Sequence, residues 1–180
     1  INNINWLSKD YYDSAGFKSN LEGIIKNINY EANNTEKFKS ESNNHEIMGA
    51  FSFTSSLPLK KESDNYIKNL TPKLMLRQGI SHMKDISSEE IKLDKTNLFS
   101  LNKNTSDDTI EEGTSLMLGL DYQLNKKELN YETLDISLGQ VFNFQENKKM
   151  SASSSLDQKV SDVIGDINYK FSENNNINYK

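Results

Sequence analysis

The side chains able to do chemistry are few, and their spacing serves none of the usual reactions. His45 and His82 are the only histidines, 37 residues apart. Cysteine is absent, which excludes a disulfide scaffold, a zinc cluster and a thiol nucleophile. A metal site would need a convergent third ligand, and nothing in this spacing supplies one. Ser81-His82 beside Asp85 offers the residue types of a hydrolytic triad. A triad, however, is assembled by geometry, and neighbours within one loop do not provide it. The glycines occur singly, so no loop cradles a phosphate. Lys60-Lys61 and Lys148-Lys149 read as solvated loop ends rather than binding patches. A net charge of -5 leaves no basic footprint for nucleic acid. These residues point to a protein that is not an enzyme and carries no cofactor or metal.

The scaffold is equally informative. The chain has 180 residues, of which 34% are hydrophobic and 26% charged, with a mean hydropathy of -0.75. That length suits one domain or a piece of one. No apolar run approaches the ~18 residues of a transmembrane helix, so a helical membrane protein is excluded. Asn occurs 24 times, and 20 of the 21 basic residues are Lys, Arg77 being the exception. Such a bias lowers the diagnostic weight of any Asn- or Lys-based motif. The sequence starts at Ile1 without a Met or signal segment and stops at Asn178-Tyr179-Lys180 in the middle of an alternation. Residues 1–180 are therefore expected to be part of one domain truncated at both ends.

Helix-period stripes are scarce, whereas apolar and polar residues alternate with period two in many places. Leu116, Leu118, Leu120, Tyr122 and Leu124 share one parity against Ser115, Met117, Gly119, Asp121 and Gln123. Leu134, Ile136, Leu138, Phe142 and Phe144 form a second stripe, with Gln140 its one polar member. Similar stripes run through 47–59, 70–77 and 163–171, with Ile164 out of phase. Successive strand side chains point to opposite faces, so each segment has one apolar and one polar face. Strands are expected at 3–11, 17–32, 46–60, 66–77, 114–125, 129–144, 160–172 and 176–180. In the second, Leu21 and Ile25 are out of phase with Ile28 and Tyr30, which predicts a bulge or kink. Leu129 and Tyr131 are likewise out of phase with Leu134.

The connections measure 5, 13, 5, 36, 3, 15 and 4 residues in order. Short and long alternate throughout. In an up-and-down array, one end then carries tight turns and the other long polar loops. Outer-membrane β-barrels have that asymmetry. Most of the segments also reach the ~9–11 residues of a spanning strand. A soluble β-sandwich has half-buried strands too, but they usually run nearer ~5–6 residues. Asp121, Asp135, Asp166, Lys73 and Arg77 on the polar faces suit a lumen. The fold class expected is all-β: an antiparallel up-and-down transmembrane β-barrel wall of about eight strands, open and curved at this length. Trp6, Tyr11, Tyr12, Tyr30, Tyr66, Tyr122 and Tyr169 are candidates for interfacial girdles.

Four stretches, in order, carry a family likeness. They are Leu70 to Arg77 (LTPKLMLR, with Pro72 and Arg77), Asn97 to Lys103 (NLFSLNK, with Phe99, Ser100 and Asn102), Asp108 to Gly113 (DTIEEG, with Glu111) leading into Leu118-Gly119-Leu120-Asp121-Tyr122, and Ser137 to Phe142 (SLGQVF, with Gly139 and Gln140). This order resembles the outer-membrane lipopolysaccharide-assembly family LptD in its α-proteobacterial form, over residues 15 to 170. The resemblance implies a very large barrel preceded by a periplasmic jelly roll. It implies that lipopolysaccharide arrives along a periplasmic protein bridge and leaves sideways into the outer leaflet, with an LptE-type lipoprotein inside the lumen. It places the chain in the outer membrane of a Gram-negative bacterium. The family's bridging cysteines are absent here, and Lys103 stands where the family usually has Arg, so a point charge replaces a guanidinium fork. A porin-like channel or a barrel enzyme is the alternative, and a soluble secreted β protein comes third.

The signature residues have a structural reading and a functional one. In the first, Asn97 to Gly113 order the longest loop as it re-enters the wall, with Gly113 relieving backbone strain. In the second, the loop folds over the barrel mouth with Lys103 paired to Asp107, Asp108 or Glu111. The structural reading is the stronger, because surface ion pairs are abundant and worth ~0–1 kcal/mol. The long loops are expected to be disordered and the polar face wet.

Overall fold

The computed structural model describes residues 1–30, 44–80, 82–104, 106–129 and 132–180. Ten strands make one antiparallel sheet: β1 (Asn2–Leu7), β2 (Tyr11–Tyr12), β3 (Lys18–Tyr30), β4 (Asn44–Ser56), β5 (Leu59–Glu62), β6 (Tyr66–Ile80), β7 (Gly113–Lys126), β8 (Glu132–Asn143), β9 (Ile164–Ser172) and β10 (Asn175–Tyr179). Their spatial order is β1-β3-β4-β6-β7-β8-β9-β10, with β2 beside β3 and β5 beside β6. The sheet is not closed. Each long strand pairs with its sequence neighbour, which is the up-and-down order expected from the alternating loop lengths.

Two expected strands are each interrupted. Residues 3–11 divide into β1 and β2, and residues 46–60 into β4 and β5. The second interruption is built into the sequence. Pro72 on β6 accepts from Leu57 N through its carbonyl at 3.0 Å. In an antiparallel strand the N and O of one residue point the same way. The donor that Pro72 lacks therefore faces the gap between β4 and β5, where no ladder bond is required.

The register between β3 and β4 runs without a slip from Lys18↔Ser56 to Tyr30↔Asn44. The expected bulge in β3 is absent. The phase change has another cause: Leu21 and Ile25 are exposed on one face, whereas Ile28 is buried on the other. Ile164 leaves its stripe for the same reason and packs against the core. Leu129 precedes β8 in a turn, and Tyr131 lies outside the described residues.

The two faces of the sheet differ completely. Phe51, Phe53, Leu74, Leu76, Leu118 and Leu138 project, exposed, from one face. The other parity holds Met48, Ala50, Met75, Met117 and Val141, all buried. Their cover comes from the connection between β6 and β7 and from the segment 144–163. Met83, Ile86, Ile91, Leu93, Leu98, Leu101 and Ile110 from the first, and Met150 and Leu156 from the second, complete one core with them. The expectation of disordered loops over a wet face is thus corrected for the described residues. Residues 82–104 and 106–112, here called the strap, lie across the inner face and dry its loop-proximal half. The turn-proximal half of the same face keeps Thr71, Lys73, Asp121, Gln123 and Asp135 partly exposed.

Candidate functional site

The strap begins where β6 ends and returns where β7 begins, so both of its roots lie on paired strands. Gly79 and Gly113 face each other across that pair. A Cβ on Gly79 would stand 2.0 Å from the Glu111 carbonyl oxygen, so only glycine lets the returning chain pass so close. Gly113 has φ +92°, a conformation that L side chains rarely adopt, and turns the chain into β7.

Arg77, the single arginine, is fully buried. Its Nε donates to the Leu101 carbonyl and its Nη2 to the Glu111 carbonyl, so one guanidinium holds both halves of the strap. A planar fork with five donors can do this, whereas an ammonium is a point charge. Lys103, also fully buried, donates to the Glu111 carboxylate at 3.0 and 3.3 Å. The resulting group contains two cations and one anion within the protein interior. Burial depresses the Lys103 pKa and the Arg77 charge adds to this, while Glu111 opposes both. For Glu111 burial acts upward, but Lys103 and then Arg77 outweigh it, leaving the carboxyl below its ordinary value and ionised at neutral pH. The Arg77 Nη1 and the hydroxyls of Ser52 and Ser115, which flank position 77 on β4 and β7, have no protein hydrogen-bond partner. Buried groups of this kind are ordinarily satisfied by internal water.

Asn102 closes the same cluster. Its amide nitrogen donates to the Thr109 carbonyl, and its Oδ1 accepts from Glu111 N. Upstream, Asn97 and Ser100 shape the turn that aims the motif at the sheet. Asn97 Oδ1 accepts from Asp94 N, and the Ser100 hydroxyl, with one hydrogen to give, lies within hydrogen-bonding distance of the carbonyls of both Asn97 and Asn102. That turn presents Leu98 and Phe99 to the inner face. There Gly119 and Gly139 are direct partners on β7 and β8. A Cβ on Gly119 would lie 2.7 Å from the Phe99 ring, and one on Gly139 would lie 2.1 Å from a Leu98 methyl. The paired glycines are a trough, and Leu98-Phe99 is the knob that fills it. Lys73 lies over the Phe99 ring and pairs with Asp121.

The signature residues therefore fall into two groups. Arg77, Asn97, Phe99, Ser100, Asn102, Lys103, Glu111, Gly113, Gly119 and Gly139 assemble into the strap and its seat. Asp108, Pro72 and Gln140 take no part in that seat. Asp108 pairs with Lys84 at 2.9 Å within the strap, Pro72 lies on β6 opposite the break between β4 and β5, and Gln140 donates to the Ser161 carbonyl at 2.8 Å. Of the three acids offered as partners for Lys103, Glu111 is the one that pairs. The cluster is no surface ion pair, and the residues go beyond ordering the loop: they fix it to the wall.

Several contributors escape the motif reading. Gly79 admits the returning chain. Lys95 reaches from the strap to Asp166 on β9 at 2.6 Å, which holds the Lys95 pKa above its usual value. Lys26 on β3 donates to the Asp107 carbonyl at 3.0 Å. Met48, Met75 and Met117, apolar residues on otherwise polar parities, were the visible signal that the second face also has a core. His82 is exposed and Ser81 lies outside the described residues. His45 Nδ1 contacts Asn29 Oδ1 at 2.6 Å. Among the described residues, no three His, Asp or Glu side chains converge as metal ligands.

What this arrangement can do is hold. It fastens the 30 described residues of the strap against one face of a two-faced sheet, leaves the opposite face apolar, and keeps a polar surface below the strap. No helix among the described residues is long and apolar enough to cross a membrane. A family model described as LptD, LPS transport system D, matches residues 1–180. No curated protein matches the chain.

Proposed function

The chain belongs to the LptD family, LPS transport system D, and from that membership we propose that residues 1–180 are part of the wall of one outer-membrane β-barrel domain that inserts lipopolysaccharide into the outer leaflet. The supporting observation is the division of the sheet into a bare apolar face and a face that is polar or strapped. A sheet in lipid needs the first on its outside. On β6 the outward parity runs from Leu70 to Ile80, ten steps of ~3.3 Å. At the ~40° tilt of barrel strands this spans about 25 Å of membrane normal, the height of the apolar band in such barrels. Tyr11, Tyr12, Tyr66, Tyr122 and Tyr169 lie near the turn end, where one aromatic girdle belongs.

In this reading the strap is a fixed lining of the lumen. It narrows the loop-proximal half and leaves the partly exposed Thr71, Gln123 and Asp135 below it to face water and cargo. An LptE-type lipoprotein would share that lumen, and the periplasmic bridge would deliver lipopolysaccharide through a separate domain of the same protein. The role is transport, with no bond made or broken by these residues. Depletion of the full-length protein tests it. Newly made lipopolysaccharide should cease to reach the cell surface, and a photocrosslinker at Gln123 should capture lipopolysaccharide where one at Leu118 captures bulk membrane lipid. Undiminished surface delivery after depletion would refute the transport role.

A further inference from the structure

A cavity of about 610 Å³ lies at the long-loop end of β6, β7 and β8, between the strap root and the segment 144–150. That size is typical of small-molecule sites, ~300–1,000 Å³. Its lower edge is formed by Ile80 and Phe144, 63% and 62% exposed. Ile80 shares the outward parity of Leu74 and Leu76, and Phe144 that of Leu138 and Phe142. Both stand at the upper limit of the apolar band measured above. The rest of the lining is mixed: Gln78, Thr114, Asn143, Gln145, Glu146 and Asn147 stand beside the acids Glu111 and Glu112, with the glycines Gly79 and Gly113 and the apolar Met150 and Leu156 among them.

Much of this polar lining is held in place. Gln78 Nε2 donates to the Gly79 carbonyl and Gln78 Oε1 accepts from the Thr114 hydroxyl. Asn143 Nδ2 donates to the carbonyls of Leu156 and Gln158. Glu112 accepts from Met83 N and from Lys149 Nζ. Asn147 accepts from Lys149 N. The charges are balanced or acidic: Lys149 is paired with Glu112, and Lys148 with Glu146 and Asp157. A phosphate would find no unpaired cation among these groups and several carboxylates. A sugar hydroxyl, both donor and acceptor, matches amides and carboxylates, and a sugar ring packs on an exposed aromatic face.

We propose that this rim cleft is a binding site for the uncharged sugar portion of a glycolipid headgroup, with the acyl chains lying down the apolar band below Ile80 and Phe144. The inference rests on the outer-membrane reading above, which places this rim at headgroup level. Sugar hydroxyls could also come from a free saccharide. The apolar shelf assigns the lipid-borne form.

The test uses the full-length protein in nanodiscs. Native mass spectrometry counts retained digalactosyl diacylglycerol, a neutral glycolipid, against phosphatidylglycerol, which carries a phosphate and no sugar. The wild type should retain the glycolipid in preference, and the double substitution Phe144→Ala with Gln145→Ala should reduce that retention about tenfold. The control Phe171→Ala, outward at the turn end of β9, should leave it unchanged. Phe144 and Gln145 are exposed, so the fold does not depend on them. Preferential retention of phosphatidylglycerol, or indifference to the double substitution, overturns the site. Free digalactose held as tightly as the glycolipid overturns the lipid-borne assignment. Surface delivery of lipopolysaccharide is measured in parallel: a wild type that delivers lipopolysaccharide but shows no glycolipid preference would sink the rim site and spare the transport reading, whereas depletion without effect on delivery would do the reverse.

Discussion

Glu111→Gln removes one negative charge and almost no volume. In the folded protein it leaves Lys103 and Arg77 buried together with no anion between them. Removing one partner of a buried ion pair costs about 3–5 kcal/mol, because the remaining charge is uncompensated. Here the remainder is two like charges, so the upper part of that range applies. The loss falls on the strap, whose contacts depend on the cluster, while the ladders from β6 to β8 stay intact. The assay is amide hydrogen exchange on the full-length protein in detergent, followed through residues 98–111. Protection there should fall by roughly three orders of magnitude or slightly more, as about 1.4 kcal/mol is tenfold. Exchange in the middle of β7 should be unchanged. A compensating change sharpens the test. Lys103→Met together with Glu111→Gln replaces the pair by an apolar contact, and such replacements are often neutral or stabilising. The double variant should recover most of the protection. A fall of less than about fivefold in the single variant, or no recovery in the double, would refute the idea that this cluster fastens the strap.

Gly139→Ala places a methyl where the Leu98 side chain now sits and should destabilise strap docking by about 1–3 kcal/mol; adding Leu98→Ala should recover part of this, read as resistance of the strap to protease. Leu118→Arg on the bare face should cost ~2–4 kcal/mol near mid-bilayer, against less than ~1 kcal/mol for Asp121→Asn, whose pair with Lys73 is partly exposed; equal costs in denaturant titrations would contradict the assignment of faces. Acid should release the strap, because Glu111 has a folded pKa below its ordinary 4.5: its stabilisation is complete above that value and is lost as pH falls through the lower one. The depressed Lys103 pKa acts in the same direction, adding stability as pH rises towards 10.5; loosening of the strap between pH 7 and 10 would contradict the Lys103 sign, and tightening in acid the Glu111 sign. Residues 1–180 alone, with β1 and β10 unpaired at their outer edges, should stay monodisperse only in detergent, and a detergent-free monomer with a cooperative melt would contradict the membrane face.

Strand positions were legible because the period-two signal is strong wherever one face meets lipid. Leu116 to Leu124 and Leu134 to Phe144 define β7 and β8 almost to the residue. Interruptions were not legible. The gap between β4 and β5 is set by Pro72 on the neighbouring strand, and no window on one segment contains that information. The strap was hidden for a different reason. Its residues, such as Leu98, Leu101 and Ile110, are too irregularly spaced to give a helix or strand period, and they are apolar only where they meet Met75, Met117 and Val141. The two glycine motifs were visible singly as Leu118-Gly119-Leu120 and Leu138-Gly139-Gln140. That they form one trough depends on the β7–β8 register. The lone Arg77 in a lysine-biased chain was the clearest pointer to a position where a guanidinium fork cannot be exchanged.

The strap joins β6 to β7, and these two strands pair with each other along their whole length. Its principal anchors, Arg77, Gly79, Gly119 and Gly139, lie on those strands and on β8, the next in sequence. Most of what docks it lies in one continuous stretch, from Tyr66 to Asn143, with the segment 144–163 following directly; Lys26 on β3, Met48 and Ala50 on β4 and Asp166 on β9 add contacts from outside. The β6–β7 pairing spans sequence separations of 34 to 60 residues, so this unit is contiguous in the chain without being local. The ion cluster can then be sealed from water while the sheet still has free edges. A cluster sealed in this way keeps Arg77 and Lys103 paired inside the protein, and insertion of the wall need not carry bare charges through hydrocarbon.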